Sequence, residues 1–336
     1  MAPHISGRDM RPAFIVAQYK CGTSWLLSAL SAHPAVRGLR EIDIVRAAWD
    51  TRGGGEATPA SPEHRLEHFF GTSAWCNRNQ FGDDLLAALE SGEHPQPDGS
   101  SPNRPQGFAD LGPNAAVGLY RAVRDAASPS HALDAFVAAT SAGAPEGTDM
   151  LVLKAADQIA VFGLLQAWQP AAPKMVITRD GRDAAISASH YKQLMQDAPW
   201  YSGDADYWRL LENWATRARM IADRARAGEV EVIRYEDLSA DFAGTFTPLL
   251  EWLGLDSSPA LVERIEAKTS FEARTGRERG TEGKGVIRKG MVGEWRETLT
   301  DEDKGEAWKR AGEELAALGY TEDGPEDPLP EGLTRL

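Results

Sequence analysis

The sequence predicts an α/β fold in which helices cover both faces of a central parallel β-sheet. Four short apolar runs, at Ala13–Ala17, Met150–Lys154, Lys174–Thr178 and Val230–Arg234, have the length and composition of buried parallel strands. Segments with the spacing of amphipathic helices lie between these runs. Because strands that alternate with helices are joined by crossover connections, we expect the strands to run parallel.

The first strand leads through a short turn into a helix. Ala13–Ala17 reads AFIVA, and the following stretch Ser24–His33 places Leu26 and Leu30 at helical spacing. Pro34 ends this helix, because proline cannot continue the helical hydrogen bonding. A strand, a tight turn and a helix are therefore expected within the first 34 residues.

The segment 51–148 has a weaker pattern. Helical spacing is found near Glu63–Phe70 and Asp83–Leu89, and a Pro-rich stretch occupies His94–Gln106. The segment is interpreted as an elaborated, partly irregular insertion, and long insertions of this kind carry specificity more often than scaffold.

The second half of the chain returns to a regular pattern. A long Gly-rich loop is expected over Thr275–Gly293, a loose tail over 321–336, and one domain over 1–320. Helices are predicted at Gln158–Trp168, from Gly181 onward, and at Asp204–Arg226, Ala240–Leu253, Pro259–Ala267 and Asp301–Leu318.

Composition excludes some classes of protein. The formal net charge of -14 argues against a nucleic-acid binder, although a few cations can still form a nucleotide site. The two cysteines, Cys21 and Cys76, are too few for a disulfide framework and fit a reducing compartment. Neither a signal peptide nor a membrane-spanning apolar stretch is recognisable. The sequence thus predicts a soluble, cytoplasmic protein without nucleic-acid or membrane partners, and leaves a homodimer possible.

The turn after the first strand has the features of an anion-binding loop. Tyr19–Trp25 reads YKCGTSW, in which Gly22 allows close backbone approach, Thr23 and Ser24 supply hydroxyls, and Lys20 supplies a positive charge. The Walker pattern G-x-x-x-x-G-K-[ST] is absent, since the lysine precedes the glycine. The alternative interpretation is an ordinary turn whose hydroxyls cap a helix.

Later motifs favour the anion-binding interpretation. In order, they resemble those of the sulfotransferases that use 3'-phosphoadenosine 5'-phosphosulfate, including the C-terminal signature of the cytosolic type. The resemblance implies a P-loop-like α/β domain. The motifs are RDGRDAAIS at Arg179–Ser187, YEDL from Tyr235, TSF at Thr269–Phe271 and RKGMVGEW at Arg288–Trp295.

The resemblance implies a binding site for a nucleotide with phosphates at both ends. The loop from Lys20 through Cys21 to Trp25 would hold the 5'-phosphosulfate. A planar guanidinium at Arg179 and the Ser187 hydroxyl would hold the 3'-phosphate. By the same resemblance, Arg288, Lys289 and Gly290 close over that phosphate from a mobile loop, and Ser270 also binds the donor. The resemblance places Trp25, Tyr235 and Phe271 in the base pocket, although these aromatic rings could instead be core packing.

The chemistry requires a leaving-group stabiliser and a base. Lys20 suits the first role, and the resemblance also retains Lys154. Cytosolic sulfotransferases continue that strand as Lys-Thr-His and use the histidine as base, whereas this chain reads Lys154-Ala155-Ala156. Alanine cannot transfer a proton, so the base must lie elsewhere.

Glu41 is the leading candidate for the base. It follows Arg40 at a spacing that resembles the glutamate of the glycosaminoglycan and protein-tyrosine branches, although an exposed glutamate after a strand would look the same. Asp157 is the reserve, and His64, His68 and His190 are further alternatives.

The sequence therefore predicts sulfuryl transfer from 3'-phosphoadenosine 5'-phosphosulfate to a hydroxyl of a small-molecule or carbohydrate acceptor. No pattern of metal ligands is present, so no metal is expected. A nucleotide-dependent phosphotransferase and a non-catalytic nucleotide-binding homologue are the alternatives. The residues that could form an aromatic acceptor face are Phe69, Phe70, Trp75 and Phe81.

Overall fold

The structure is a computed structural model. It describes residues 10–40, 45, 48–50, 57–70, 85–92, 113–142, 144–156, 158–195, 205–283 and 287–325.

A five-stranded sheet has the strand order β2-β5-β1-β6-β7. Its pairs β2–β5 and β6–β7 are parallel; Val36 lies opposite Met150, and Met175 lies opposite Glu231. Two short antiparallel pairs, β3–β4 and β8–β9, are separate from it. The strands are β1 (Arg11–Ala17), β2 (Val36–Arg40), β3 (Trp49–Asp50), β4 (Thr58–Pro59), β5 (Met150–Ala156), β6 (Lys174–Thr178), β7 (Glu231–Arg234), β8 (Tyr320–Thr321) and β9 (Gly324–Pro325).

Helices connect the strands of the sheet, as the predicted fold class requires. A 3-10 turn, Gln158–Val161, precedes one of them. The helices are α1 (Thr23–Ser31), α2 (Pro62–Phe70), α3 (Leu85–Ser91), α4 (Pro113–Arg124), α5 (Pro129–Ala142), α6 (Phe162–Trp168), α7 (Gly181–Met195), α8 (Tyr207–Arg226), α9 (Tyr235–Ala240), α10 (Phe242–Trp252), α11 (Pro259–Thr269), α12 (Phe271–Thr275), α13 (Trp295–Thr298) and α14 (Asp301–Ala317).

The predicted α/β fold with a parallel sheet is confirmed, and the four predicted strands are present. The strand β2 was missed because its sequence, VRGLR, breaks the apolar pattern. Arg37 is nevertheless buried, and its guanidinium donates to the carbonyl of Thr140 at 2.8 Å. A buried arginine that is satisfied by a distant carbonyl leaves no local sign of a strand.

The described part of the insertion 51–148 is more regular than predicted. Helices α4 and α5 were not predicted, and both begin with a proline, Pro113 and Pro129. Proline is favoured in the first turn of a helix because its fixed φ suits that position and its missing N–H has no helical acceptor there. Each of these prolines marks the start of a helix, which the pattern of apolar residues did not indicate.

The described residues group into two compact units. One consists of those in 1–15 and 33–173, and the other of those in 16–32 and 174–336. In the first unit, Phe14 of β1 packs edge-on against Trp168 of α6, with ring centroids 5.7 Å apart. In the second, the fully buried Phe246 stacks on Phe242, at 4.8 Å. The single domain over 1–320 stays a prediction.

The order of the strands creates a switch point. From β1 the chain continues to β2 on one side of the sheet, whereas from β6 it continues to β7 on the other side. Because β1 and β6 are neighbours, the segments that follow them diverge. Open α/β sheets bind ligands beyond the carboxyl ends of strands at such a point. The segments after these two strands begin at Gln18 and Arg179, so the predicted anion-binding residues lie there.

The predicted loose tail begins inside an ordered hairpin. Thr321 and Gly324 pair across β8 and β9. The Arg182 guanidinium donates to the carbonyls of Thr321 at 2.9 Å and Glu322 at 2.6 Å. Residues 326–336 lie outside the described residues. In the parts of the chain that are described, no helix is both long and apolar enough to cross a membrane.

Close packing of α7 on α8 requires a glycine at the start of α7. A Cβ at Gly181 would lie 2.4 Å from the ring of Trp214. In α14, by contrast, a Cβ at the exposed Gly305 would meet no atom within 4 Å.

We expect Gly181→Ala to lower the free energy of unfolding by about 1–3 kcal/mol, because the added methyl forces Trp214 to move. Gly305→Ala is the matched control and should raise it by up to about 1 kcal/mol, because alanine is the better helix former. Chemical denaturation measures both values. Equal effects of the two substitutions would contradict the packing described for α7.

Candidate active site

The turn after β1 is shaped to leave backbone N–H groups at the start of α1. Gly22 has φ 96 and is the N-cap, and its carbonyl accepts from Trp25 N at 2.9 Å and Leu26 N at 3.1 Å. Glycine has no side chain with which to cap the helix, so the first N–H groups of α1 can bind an anion. A Cβ at Gly22 would also lie 2.6 Å from the ring of Tyr235.

Lys20 has a backbone conformation that is rare for a residue with a side chain. Its φ is 62, in the left-handed region. Its Nζ lies 4.5 Å from the ring centroid of Tyr191, and Tyr191 packs edge-on against Tyr19. This conformation costs on the order of 1 kcal/mol, and such strain is often found at functional sites.

The other residues of the turn contribute in different ways. Burial raises the pKa of the Cys21 thiol to about 12, so this thiol is neutral and Cys21 offers only its backbone. Thr23 is buried and Ser24 half-buried at the first two positions of α1.

Arg179 is buried directly after β6. Its Nη2 donates to the carbonyl of Met291 at 2.6 Å and lies 3.5 Å from an Asp183 oxygen. Its guanidinium lies 4.8 Å from the ring centroid of Tyr235. Among the described residues, the buried Nε has no acceptor. A buried donor without an acceptor is rare in folded proteins, and it fits a group that binds a ligand.

Asp183 joins Arg179 to the RKGMVGEW segment, which covers residues 288–295. Its two carboxylate oxygens accept from the backbone N–H of Gly293 at 2.7 Å and of Trp295 at 2.9 Å, and the side chain is fully buried. The sequence prediction missed Asp183. The spacing of an acid four residues after Arg179 was the only signal, because its backbone partners lie more than a hundred residues away.

Aromatic side chains hold the middle of this segment. The hydroxyl of Tyr235 donates to the carbonyl of Gly290 at 3.0 Å. Gly290 has φ 66, and a Cβ there would lie 2.5 Å from the ring of Phe271. The backbone of Gly290 therefore lies directly on that ring, and only glycine fits.

The start of the segment is held by its carbonyl groups. Arg277 donates to the carbonyls of Ile287 at 2.7 Å and Arg288 at 2.8 Å. The N–H of Gly280 donates to the carbonyl of Lys289 at 2.9 Å. The segment predicted as a mobile loop is thus tied by its backbone where the structure describes it.

The two cations of the segment have carboxylate partners. Glu294 accepts from Arg288, and its other oxygen accepts from Lys289 Nζ at 3.1 Å. Glu282 lies 3.4 Å from Arg288 Nη1 and 3.3 Å from Lys289 Nζ. The Nε of Arg288 is buried and has no acceptor among the described residues.

The predicted base pocket contains a further cation. Trp25 and Tyr235 pack edge-on with ring centroids 5.6 Å apart. The guanidinium of Arg279 lies 5.5 Å from the ring centroid of Trp25 and 6.0 Å from that of Phe271. The structure thus places two of the predicted aromatic residues, Trp25 and Phe271, beside Arg279, which the sequence prediction did not single out.

Two predicted serines have different surroundings. The hydroxyl of Ser270 accepts from the N–H of Ala273 at 3.1 Å and caps α12. Ser187 is half-buried on α7.

The candidate bases are described only in part. Glu41 and Asp157 lie outside the described residues. Lys154 is buried in β5, and the strand register places it opposite Arg40, the residue before Glu41. Also outside the described residues are Trp75, Cys76, Phe81 and the side chains of His68, Phe69 and Phe70.

Two histidines among the alternatives are described. His64 is half-buried on α2. The Nε2 of His190 is buried without a hydrogen-bond partner among the described residues. Burial lowers the pKa of His190, and the positive charges of Arg288 and Lys20 lower it further. His190 is therefore neutral, and the positive charges of Arg288 and Lys20 both act on it.

A buried acid lies beside the site. Glu236 accepts from the N–H of Asp180 and from the hydroxyl of Tyr320, both at 3.0 Å. Burial raises the pKa of Glu236 to about 7. In the described parts of the chain, no group of three or more His, Cys, Asp or Glu side chains is arranged to hold a metal ion.

Glu236 should make stability depend on pH. Its pKa in the folded protein exceeds the reference value of 4.5, so its contribution is fully present below about pH 4.5 and is lost as the pH rises through about 7. We expect the free energy of unfolding of Glu236→Gln to depend less on pH, with a slope difference of at most about 1.4 kcal/mol per pH unit. Urea denaturation between pH 4.5 and 8 measures this. Exposed Glu251→Gln is the control, and parallel curves for Glu236→Gln and wild type would contradict the assignment.

Comparison with known proteins identifies the family. Over 132 residues the chain is 26% identical to sulfotransferase 6B1 of Pan troglodytes, a match that covers 36% of this chain and 44% of the relative's length. The chain thus matches less than half of that curated relative.

Two solved structures share the fold. The sulfotransferase domain from the Synechococcus PCC 7002 olefin synthase has a TM-score of 0.52 and 19% identity, covering 93% of this chain and 98% of that chain. The sulfotransferase domain from the curacin biosynthetic pathway has a TM-score of 0.53 and 14% identity, covering 90% and 97%. The family profile described as "Sulfotransferase family" matches residues 12–259. The resemblance seen in the motifs is therefore confirmed: the chain belongs to the sulfotransferase family.

Proposed function

We propose that the protein transfers the sulfuryl group of 3'-phosphoadenosine 5'-phosphosulfate to a hydroxyl of a small-molecule or carbohydrate acceptor, releasing adenosine 3',5'-bisphosphate. The observation that carries this proposal is a pair of groups suited to bind anions within one compact unit. One is the turn at Lys20–Ser24. The other, the arginine cluster, consists of Arg179 and of Arg288 and Lys289 on the segment whose Met291 carbonyl accepts from Arg179. A donor with phosphates at both ends of a nucleoside requires two such groups.

The 5' end of the donor suits the turn after β1. The N–H groups at the start of α1 and the charge of Lys20 favour a phosphosulfate there. Gly22, the N-cap of α1, has no side chain that could accept from these N–H groups.

The 3' end suits the arginine cluster. Both Arg179 and Arg288 keep a buried Nε without an acceptor among the described residues. Guanidinium groups bind phosphate through pairs of N–H donors, so these atoms fit a phosphate ligand.

The adenine suits the space bounded by Trp25, Phe271 and Tyr235. Aromatic rings offer stacking faces, and the Arg279 guanidinium that lies over two of them can stack on a base as well. The same rings also fill the core, so their role in binding rests on the proposed function.

In the proposed reaction, an acceptor oxygen attacks sulfur in line with the leaving phosphate oxygen and loses its proton to a base. Lys20 stabilises the charge that develops on the leaving oxygen. Glu41 is the proposed base, and Lys154 lies opposite Arg40, the residue that precedes Glu41 in the sequence. Family membership favours sulfuryl transfer over the phosphotransferase alternative. A reaction without metal, a cytoplasmic location, a homodimer and the absence of nucleic-acid and membrane partners stay predictions.

Arg179→Ala should weaken binding of adenosine 3',5'-bisphosphate about 10- to 150-fold, because a charged hydrogen-bond donor contributes about 1.5–3 kcal/mol. The affinity of the Arg179→Ala variant for adenosine 5'-phosphate, which lacks the 3'-phosphate, should change by less than about threefold. Isothermal titration calorimetry measures both affinities.

Arg224→Ala is the control for the Arg179 experiment, because Arg224 pairs with Glu229 on the surface of α8. It should leave both affinities unchanged. An equal loss for the two ligands in Arg179→Ala would exclude a dedicated 3'-phosphate site at Arg179.

Glu41→Gln should reduce turnover at least about 100-fold, since a general base contributes about 10²–10⁴-fold to the rate. Binding of adenosine 3',5'-bisphosphate should be unchanged, because the base contacts the acceptor. Activity assays with labelled donor on a panel of acceptors, combined with calorimetry, test both statements.

Asp157→Asn and His190→Gln provide the comparison for Glu41. Wild-type turnover in Glu41→Gln would exclude Glu41 as the base. If, in addition, Asp157→Asn or His190→Gln is inactive but still binds the bisphosphate, the base is reassigned to the residue changed in that variant. If wild type binds the bisphosphate but transfers sulfuryl to none of the acceptors, the non-catalytic alternative gains support.

A further inference from the structure

Two carboxylates share the two cations of the RKGMVGEW segment. Glu294 contacts Arg288 through one oxygen and Lys289 through the other, at 3.1 Å for Lys289. Glu282 contacts the same two cations through its Oε2, at 3.4 and 3.3 Å. The four groups form a cluster with no formal net charge.

The two carboxylates differ in exposure. The Glu294 side chain is 6% exposed, whereas the Glu282 side chain is 55% exposed. Glu282 can therefore exchange its cation contacts for water at little cost, since surface ion pairs contribute only about 0–1 kcal/mol. Loss of the buried Glu294 contact would leave an uncompensated charge, which is much more costly.

The backbone on both sides of Glu294 is also fixed. The N–H groups of Gly293 and Trp295 both donate to the carboxylate of Asp183. The Trp295 ring is buried, and the Arg182 guanidinium lies 3.6 Å from its centroid. These contacts hold Glu294 so that its side chain is directed at the cations.

A phosphate that enters this neutral cluster would bring a third anion to two cations. Binding is favourable only when one of the carboxylates leaves. The exposed Glu282 leaves more easily than the buried and anchored Glu294, and its departure gives the cluster a positive charge.

On the basis of the proposed function, we propose that Glu294 is a positioning residue that keeps Arg288 and Lys289 directed at the 3'-phosphate, and that Glu282 is the exchangeable counter-ion that this phosphate displaces. The first role makes Glu294 a permanent part of the site. The second makes Glu282 a competitor of the 3'-phosphate.

The direction of the pKa shift at Glu294 agrees with a permanent ion pair. Burial raises the pKa of Glu294, but hydrogen bonds from Arg288 and Lys289 outweigh burial and leave the pKa below its usual value. The carboxylate therefore stays ionised at neutral pH, which a permanent counter-ion requires.

Two isosteric substitutions separate the two roles, because Glu282→Gln and Glu294→Gln change the net charge equally. We expect Glu282→Gln to tighten binding of adenosine 3',5'-bisphosphate by up to about fivefold, as removal of a surface ion pair allows. We expect Glu294→Gln to weaken it about tenfold or more, because the cations lose their buried partner. Affinity for adenosine 5'-phosphate should change less than about twofold in both variants.

Calorimetry with adenosine 3',5'-bisphosphate and with adenosine 5'-phosphate measures the affinities. Glu297→Gln, at an exposed residue, is the control for the change in net charge. Thermal unfolding of each variant reports on folding. If Glu294→Gln does not fold, Glu294→Asp keeps the charge but shortens the side chain, and it should also weaken bisphosphate binding.

Tighter binding in Glu282→Gln together with weaker binding in Glu294→Gln supports the proposal, and the reverse pair of signs overturns it. Tighter binding in both would mean that charge alone matters, and weaker binding in both would mean that Glu282 also positions the cations. Either result overturns the proposal, as does unchanged binding in either variant. If wild type shows no preference for the ligand with the 3'-phosphate, the proposed function itself fails.

Discussion

The carboxylate of Asp183 is the contact on which the candidate site depends. It is fully buried and accepts from two backbone N–H groups, those of Gly293 and Trp295. The same side chain lies beside Arg179, which comes four residues earlier in the sequence. One carboxylate therefore fixes the distance between a strand-end arginine and a segment more than a hundred residues later. The contact of Arg179 with the Met291 carbonyl and that of Arg182 with the Trp295 ring join the same two elements.

Close contacts between glycines and aromatic rings extend this framework. Gly22 leaves space for the Tyr235 ring, and the Tyr235 hydroxyl holds the carbonyl of Gly290. Gly290 in turn lies directly on the ring of Phe271. A side chain at either glycine would separate the turn after β1 from the RKGMVGEW segment. These two glycines thus set the spacing of the two proposed anion-binding groups.

The sequence predicts the parts of this site that are encoded locally. The apolar run before Lys20 and the polar run after Thr178 place both turns at strand ends, and the structure agrees. Contacts between distant residues were not predictable in this way. Asp183 binds backbone groups that carry no side-chain signal, and Arg279 lies over Trp25 only because the chain folds back. The strand β2 was missed for the same reason, since Arg37 is satisfied by a carbonyl of another element.

A protein with a net charge of -14 must keep positive charge at an anion site without cancelling it. The structure does so by pairing several guanidinium groups with carbonyls. Arg179 donates to Met291, and Arg277 donates to carbonyls of Ile287 and Arg288. A carbonyl is a dipole, so it satisfies the donor and leaves the full charge to act on a ligand. Asp183 lies 3.5 Å from Arg179 and offsets part of its charge, while the Nε of Arg179 keeps a donor without an acceptor among the described residues. Arg179 and Arg277 can therefore attract phosphate even though acidic residues dominate the rest of the chain.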